Sequence, residues 1–74
     1  MNKARRKVLS DIAERLADVQ EKIESVLDEE QEALDNLPGG IQESDRGEQM
    51  QEAVDVMQEA VDSIENIIDS LQTL

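Results

Sequence analysis

Carboxylates are the residues of this sequence whose type and number could support chemistry. The chain has 74 residues, with 19 Asp and Glu against 7 Lys and Arg, so its formal net charge is −12. Paired carboxylates act as general acid and base when burial shifts the pKa of one of them, and carboxylate clusters bind Ca²⁺ or Mg²⁺. The sequence therefore offers acid–base chemistry, metal binding or the presentation of negative charge.

The absence of five residue types excludes most other chemistry. There is no His, the commonest general base and metal ligand, and no Cys to form a disulfide or a thiolate metal site. There is no Phe, Trp or Tyr to stack on a nucleobase. The acidic run at residues 28–32 lacks the spacing and the glycine of a calcium loop. We therefore expect a protein that is not an enzyme and that uses no cofactor or metal.

Most of the carboxylates recur every three or four residues, which places them along one face of a helix. At a rise of ~1.5 Å per residue, they follow one another at roughly 5 Å, so a bundle with several such lines has a linear charge density comparable to that of duplex DNA. We expect this face to act as a decoy that binds a basic, nucleic-acid-binding host protein. The predicted acidic partner-binding face comprises Asp11, Glu14, Asp18, Glu21, Asp28, Glu48, Glu52, Asp55, Glu59, Asp62, Glu65 and Asp69.

An ordinary solvated surface is the competing interpretation of the same residues. Helices of a bundle need polar outer faces, and Asp and Glu supply them. Such surfaces usually mix charge signs, because Glu–Lys pairs four residues apart stabilise a helix. Here no Lys or Arg occurs between Gly47 and Leu74. Both interpretations stay open on the sequence alone.

The elements that carry these residues are two long helices around one break. The only proline and two of the three glycines lie at residues 37–40, a strong stop signal. We predict a helix over about 2–36, a loop over 37–45 and a helix over about 46–72, with Asp45 and Glu48 as a capping box. A short connection makes the helices antiparallel. The predicted fold is all-α, a coiled-coil-like two-helix hairpin forming a single domain.

Apolar residues on both helices follow the heptad spacing of a coiled coil. A hairpin covers only part of such a wide stripe, so we expect a homodimer that forms a four-helix bundle, unless the open face is reserved for another protein. Glu30 interrupts the stripe; it reaches solvent, pairs with Arg46 or specifies register. The predicted oligomerisation seam comprises Leu9, Ile12, Leu16, Val19, Ile23, Val26, Met50, Val54, Met57, Val61, Ile64, Ile68 and Leu71.

The start of the chain is basic, with Lys3, Arg5, Arg6 and Lys7. These residues could pair with acids near the end of the second helix, such as Asp69, or contact nucleic acid or lipid headgroups. Four charges without aromatic residues are a weak nucleic-acid signal, so direct nucleic-acid binding is not expected. The sequence has no apolar run that could span a membrane, and we expect a cytoplasmic protein.

The segment around the break is distinctive. It reads Asp-Asn-Leu-Pro-Gly-Gly-Ile-Gln-Glu-Ser-Asp-Arg-Gly-Glu-Gln-Met over residues 35–50. With Gln51-Glu-Ala-Val54 and the basic start, it resembles small acidic helical proteins encoded by phages and prophages of Gram-positive bacteria, with Ile41 in place of a usual Leu. Such proteins include inhibitors of host defence nucleases, among them anti-CRISPR proteins. The resemblance implies a phage or prophage origin and, by association, favours an inhibitor acting in the host cytoplasm. The alternative is an assembly adaptor that binds through its apolar seam.

Overall fold

The computed structural model describes residues 1–74 as three helices. These are α1 (Lys3–Asp35), α2 (Gly39–Gln42) and α3 (Asp45–Gln72). The long helices α1 and α3 pack against each other as an antiparallel hairpin with extents of 58 × 14 × 12 Å. The all-α helical hairpin predicted from the heptad spacing is confirmed.

Local capping explains where the long helices begin. The Asn2 side chain accepts a hydrogen bond from the Arg5 backbone N–H at 2.8 Å, which satisfies one of the unpaired amides at the start of α1. Helix α3 begins one residue earlier than predicted, because Ser44 rather than Asp45 is its N-cap. The Ser44 hydroxyl donates to the Ile41 carbonyl instead of capping α3, so the predicted capping box is not formed.

The loop predicted over residues 37–45 contains the short helix α2. Gln42, its last residue, contacts both long helices. The Gln42 side-chain amide donates to the carbonyls of Leu34 and Asp35 at the end of α1, and of Leu37 just after it, at 3.1–3.2 Å. Its backbone rests on Gly47, where an added Cβ would lie 2.6 Å from the Gln42 carbonyl carbon. Gly47 is therefore the residue that lets the loop approach α3.

One line of residues at seven-residue spacing forms the contact between the helices. Six of its eight members are the six buried residues of the chain, and Gln20 and Leu27 are half-buried. The Gln20 amide donates to the Val61 carbonyl at 3.1 Å, which sets the two residues level across the hairpin. We call this the core line: Ala13, Gln20, Leu27 and Leu34 on α1, which lie level with Ile68, Val61, Val54 and Gly47 on α3.

The predicted oligomerisation seam is divided by this packing. Val54, Val61 and Ile68, which were assigned to the seam, are instead buried within the hairpin. Each long helix packs along its length against only one other helix, so only one column of its wide apolar stripe is buried. The other seam residues stay at least partly open: Ile12, Val19 and Val26 are exposed, and Leu9, Leu16, Ile23, Met50, Met57, Ile64 and Leu71 are half-buried.

Candidate functional site

Two opposite surfaces of the hairpin flank the core line. One is formed by the residues that follow the core-line residues in the sequence, and the other by the residues that precede them. The residue that follows each core-line residue is a carboxylate in all eight cases: Glu14, Glu21, Asp28, Asp35, Glu48, Asp55, Asp62 and Asp69. The residue that precedes each is apolar in seven of eight cases: Ile12, Val19, Val26, Ala33, Ala53, Ala60 and Ile67, with Arg46 as the exception.

Helix geometry places the like residues of α1 and α3 on the same side of the hairpin. Successive residues are rotated by about 100° around a right-handed helix. Because the two helices are antiparallel and face each other, a step forward along either helix leads to the same side. The carboxylates therefore share one side, which we call the acidic face, and the apolar residues share the other, which we call the apolar face.

The acidic face carries sixteen of the 19 carboxylates of the chain. Spread over a rod 58 Å long, this is one charge per about 3.6 Å, close to the spacing of phosphates along one DNA strand. The only basic residues on it are Lys3 and Lys7, near the start of α1. It includes all twelve acidic residues predicted from spacing, together with Glu24, Glu32, Asp35 and Asp45.

Four of these carboxylates accept hydrogen bonds from glutamine amides rather than pairing with cations. Three hydrogen bonds link a glutamine to the aspartate four residues later: Gln31 to Asp35 at 2.9 Å, Gln51 to Asp55 at 3.0 Å and Gln58 to Asp62 at 3.1 Å. Gln20 also donates to Glu65 across the hairpin at 2.9 Å. A neutral donor orients a carboxylate and leaves its charge in place. Sequence analysis missed this feature, whose signal is a glutamine four residues before an aspartate.

Neutralisation by ion pairing occurs at one place only. Lys7 Nζ lies 2.8 Å from Asp11 Oδ1, and this is the single ion pair of the chain. The hydrogen bond to Asp11, and then its negative charge, raise the pKa of Lys7. The remaining carboxylates repel one another along and between the helices, so the acidic face lowers the stability of the hairpin at low salt.

The apolar face contains a groove between α1 and α3. Its volume is about 390 Å³, and Val19 and Val26 on α1 and Val56 on α3 form its rims, exposed by 46%, 53% and 57%. The half-buried Ile23 and Met57 also line it. Soluble monomers rarely expose a continuous apolar strip, so this face is a candidate docking surface.

The basic residues at the N-terminus and Glu30 do not form the ion pairs between helices that the sequence analysis considered. Lys3, Arg5, Arg6 and Lys7 are all exposed, and Lys7 pairs within α1 rather than with Asp69. Glu30 is half-buried beside a shallow groove and forms no ion pair with Arg46.

The carboxylates of the structure are spread along the hairpin rather than clustered. No three Asp or Glu side chains are grouped to hold a metal ion. No buried side-chain nitrogen or oxygen lacks a hydrogen-bond partner. No helix combines the length and apolar character needed to cross a membrane. The arrangement presents negative charge on one face and apolar side chains on the other.

The distinctive segment over residues 35–50 is largely explained by the fold. Gln42 fastens α2 to the end of α1, Ser44 precedes α3, and Gly47 admits the loop backbone. These roles explain the spacing of the segment without a binding function. Comparison of the chain with protein-family models, with characterised proteins and with solved structures finds no match, so the two faces are the basis on which a function is assigned.

Proposed function

We propose that this protein is a non-catalytic inhibitor that presents its acidic face to a basic, nucleic-acid-binding protein in place of nucleic acid. The observation that carries the proposal is the run of eight carboxylates directly after the eight core-line residues. A partner groove lined with Lys and Arg would meet on this face a row of charges at DNA-like spacing, and the long-range field would steer the encounter.

Two further observations favour this function over a surface that only keeps the protein in solution. A solvated helix face is usually stabilised by Lys or Arg paired with the acids, whereas this face has only Lys3 and Lys7, and only Lys7 forms an ion pair. Glutamine amides hold Asp35, Asp55 and Asp62 without neutralising them. The face thus keeps both its charge and its order, at a cost in helix stability.

The apolar face is assigned to a second copy of the chain. Two hairpins joined through this face form a four-helix bundle in which all apolar strips are covered. Because the acidic face lies on the opposite side of each hairpin, the two acidic faces then lie on the outside of the dimer. A homodimer is therefore compatible with simultaneous binding of basic partners.

The resemblance of residues 35–50 to small phage and prophage proteins suggests the biological setting. An inhibitor of a host defence nuclease, of which anti-CRISPR proteins are one class, would act in the cytoplasm of the host cell. The second candidate function is an assembly adaptor that binds another protein through the exposed groove, with the acidic face only solvating the hairpin.

A capture experiment with matched variants tests the proposal. The test variant is Asp55→Asn/Glu59→Gln/Asp62→Asn, and the control is Glu29→Gln/Glu30→Gln/Glu43→Gln, which removes the same charge away from the acidic face. We expect the wild type and the control to capture a nucleic-acid-binding protein that duplex DNA or moderate salt displaces. The test variant should bind it about tenfold or more weakly. Equal capture by both variants, retained at high salt, would contradict the decoy and favour the adaptor.

A further inference from the structure

The charge pattern around the core line is reversed at the end of the hairpin where α1 begins and α3 ends. All eight core-line residues are followed by a carboxylate, and seven are preceded by an apolar residue. The position one heptad before Ala13 is Arg6, which is preceded by Arg5 and followed by Lys7. Because successive residues are rotated by about 100° around a helix, these three cations are spread around α1 rather than along one side of it.

This positive charge is separated from the negative charge of the chain. No acidic residue occurs before Asp11, and the chain from Asp11 onward carries all 19 Asp and Glu but only three of the seven Lys and Arg. Arg5 and Arg6 form no ion pair, since the single ion pair joins Lys7 to Asp11. Positive charge at a helix N-terminus opposes the macrodipole, so these cations do not stabilise α1.

Apolar surface is exposed beside the same cations. A cleft of about 230 Å³ lies between α1 and α3, and its apolar lining is Leu9, Ala13, Leu71 and Leu74. Arg6 also lines this cleft. A second groove, of about 280 Å³, lies along the start of α1 and is lined by Met1, Val8 and Leu9 together with Arg5. Each apolar depression at this end therefore has an arginine in its lining. We call this surface the basic end: Met1, Lys3, Arg5, Arg6, Lys7, Val8, Leu9, Leu71 and Leu74.

We infer that the basic end binds the surface of an anionic lipid bilayer. The cations would pair with the headgroups while the apolar side chains enter the boundary of the acyl region, as in interfacial helices that combine Lys and Arg with apolar residues. Nucleic acid would pair with the cations but leave the exposed Met1, Val8 and Leu74 in water. The chain also has no aromatic side chain to stack on a base.

The acidic remainder of the chain determines the orientation on the lipid. The hairpin is 58 Å long, whereas the Debye length at physiological ionic strength is about 8 Å. A hairpin that stands on its basic end holds most of its carboxylates farther than this from the headgroups, so their repulsion is screened. The acidic face remains accessible in this orientation, and the inference does not depend on the function proposed for that face.

Co-sedimentation with vesicles at physiological salt tests the inference. The wild type should bind vesicles of phosphatidylcholine that contain about one-third phosphatidylglycerol, and should not bind vesicles of phosphatidylcholine alone. Arg5→Gln/Arg6→Gln should bind about 30-fold more weakly, because each cation near an anionic surface contributes roughly fivefold in affinity. The control is Arg15→Gln/Lys22→Gln, which removes the same charge farther along α1 and should bind as the wild type does.

A second pair of variants tests the apolar contribution. Val8 and Val56 are equally exposed, at 57%, but only Val8 lies at the basic end. Val8→Gln should weaken vesicle binding by about fivefold, because it removes apolar area that the lipid would cover. Val56→Gln should leave vesicle binding unchanged. Circular dichroism checks that all four variants keep the helix content of the wild type.

Three results would overturn the inference. The first is a wild type that sediments with neither kind of vesicle. The second is an equal loss of binding in the two arginine variants, or in the two valine variants. The third is a gel shift of duplex DNA without vesicle binding, which would assign the basic end to nucleic acid instead. None of these results bears on the capture of a basic protein by the acidic face, so the proposed function is tested separately.

Discussion

The acidic face and the apolar face of the hairpin are built on the same eight core-line residues and differ by a step of one residue along the chain. One step forward gives a carboxylate at all eight positions, and one step back gives an apolar residue at seven. The difference teaches that a rotation of one residue around each helix separates a charged surface from an apolar one. The proposed function gives each of these surfaces a role beyond holding the hairpin together.

The two faces also differ in how they affect stability. The apolar face gains free energy only when it is covered, at roughly 25 cal/mol per Å² of apolar area removed from water. The acidic face loses free energy through repulsion, and salt reduces that loss. Changes on one face should therefore leave the properties of the other almost unaltered, which the following variants examine.

The largest effect is expected from Val26→Asp, because it places a charge in the middle of the apolar face. Burial of an unpaired carboxylate at a dimer interface should weaken dimerisation by about 100-fold or more. The matched control is Ser25→Asp, the same substitution one residue away on the acidic side. Sedimentation velocity over a concentration series measures both. If both variants weaken dimerisation equally, the apolar face is not the dimer interface.

The second-largest effect is expected on stability, from a substitution where the loop contacts α3. Gly47→Ala should destabilise the hairpin by about 2 kcal/mol, since the added methyl collides with the Gln42 backbone. Gly40→Ala is the control, because nothing lies within 4 Å of its added Cβ. It should leave stability unchanged or slightly raised through better helix propensity. Thermal unfolding followed by circular dichroism distinguishes them; a Gly47→Ala variant as stable as wild type would show that the loop does not pack on α3.

Salt should raise the melting temperature by a few degrees between low and moderate ionic strength, because it screens the repulsion on the acidic face. The increase should shrink in Asp55→Asn/Glu59→Gln/Asp62→Asn. It should shrink less in Glu29→Gln/Glu30→Gln/Glu43→Gln, which removes the same charge elsewhere. If salt raises the melting temperatures of both variants equally, repulsion on the acidic face does not lower stability more than repulsion elsewhere.

The smallest effect is expected where a glutamine is replaced by a cation. Gln58→Lys turns a neutral hydrogen bond to Asp62 into an ion pair and should stabilise the helix by about 0.3 kcal/mol. It should also weaken binding of oligolysine, used as a basic probe in calorimetry, by about twofold. Gln49→Lys, which adds the same charge on the other side of α3, should reduce that binding less. Tighter binding of the probe by Gln58→Lys would contradict the role given to the glutamines.

The heptad spacing was sufficient to predict the two long helices and the break between them. It could not predict which apolar column faces the other helix, because three adjacent columns are apolar on each helix. Ala13 and Leu34, outside the predicted seam, are buried, whereas Ile12 and Val19 are exposed. The choice depends on the relative rotation of the helices, which is a tertiary property.

Two other residues were overlooked for the same reason. Gln20 lies in the core line, where a polar residue looks like an interruption until its amide is seen to reach the Val61 carbonyl on the other helix. Gly47 looks like a weakness in the first turn of α3 until the Gln42 backbone is placed against it. The carboxylate spacing predicted the acidic face on each helix; that both lie on one side of the hairpin follows from the antiparallel packing and the position of the core line.

Sedimentation equilibrium of the unmodified chain is the most direct test of the central claim, that a second copy covers the apolar face and leaves the acidic faces outside. At micromolar concentration and physiological salt we expect a mass twice that of the 8.3 kDa chain. The dimer should become tighter as salt increases, because like-charged hairpins then repel each other less. A fully helical species that stays at 8.3 kDa at all concentrations would contradict the claim.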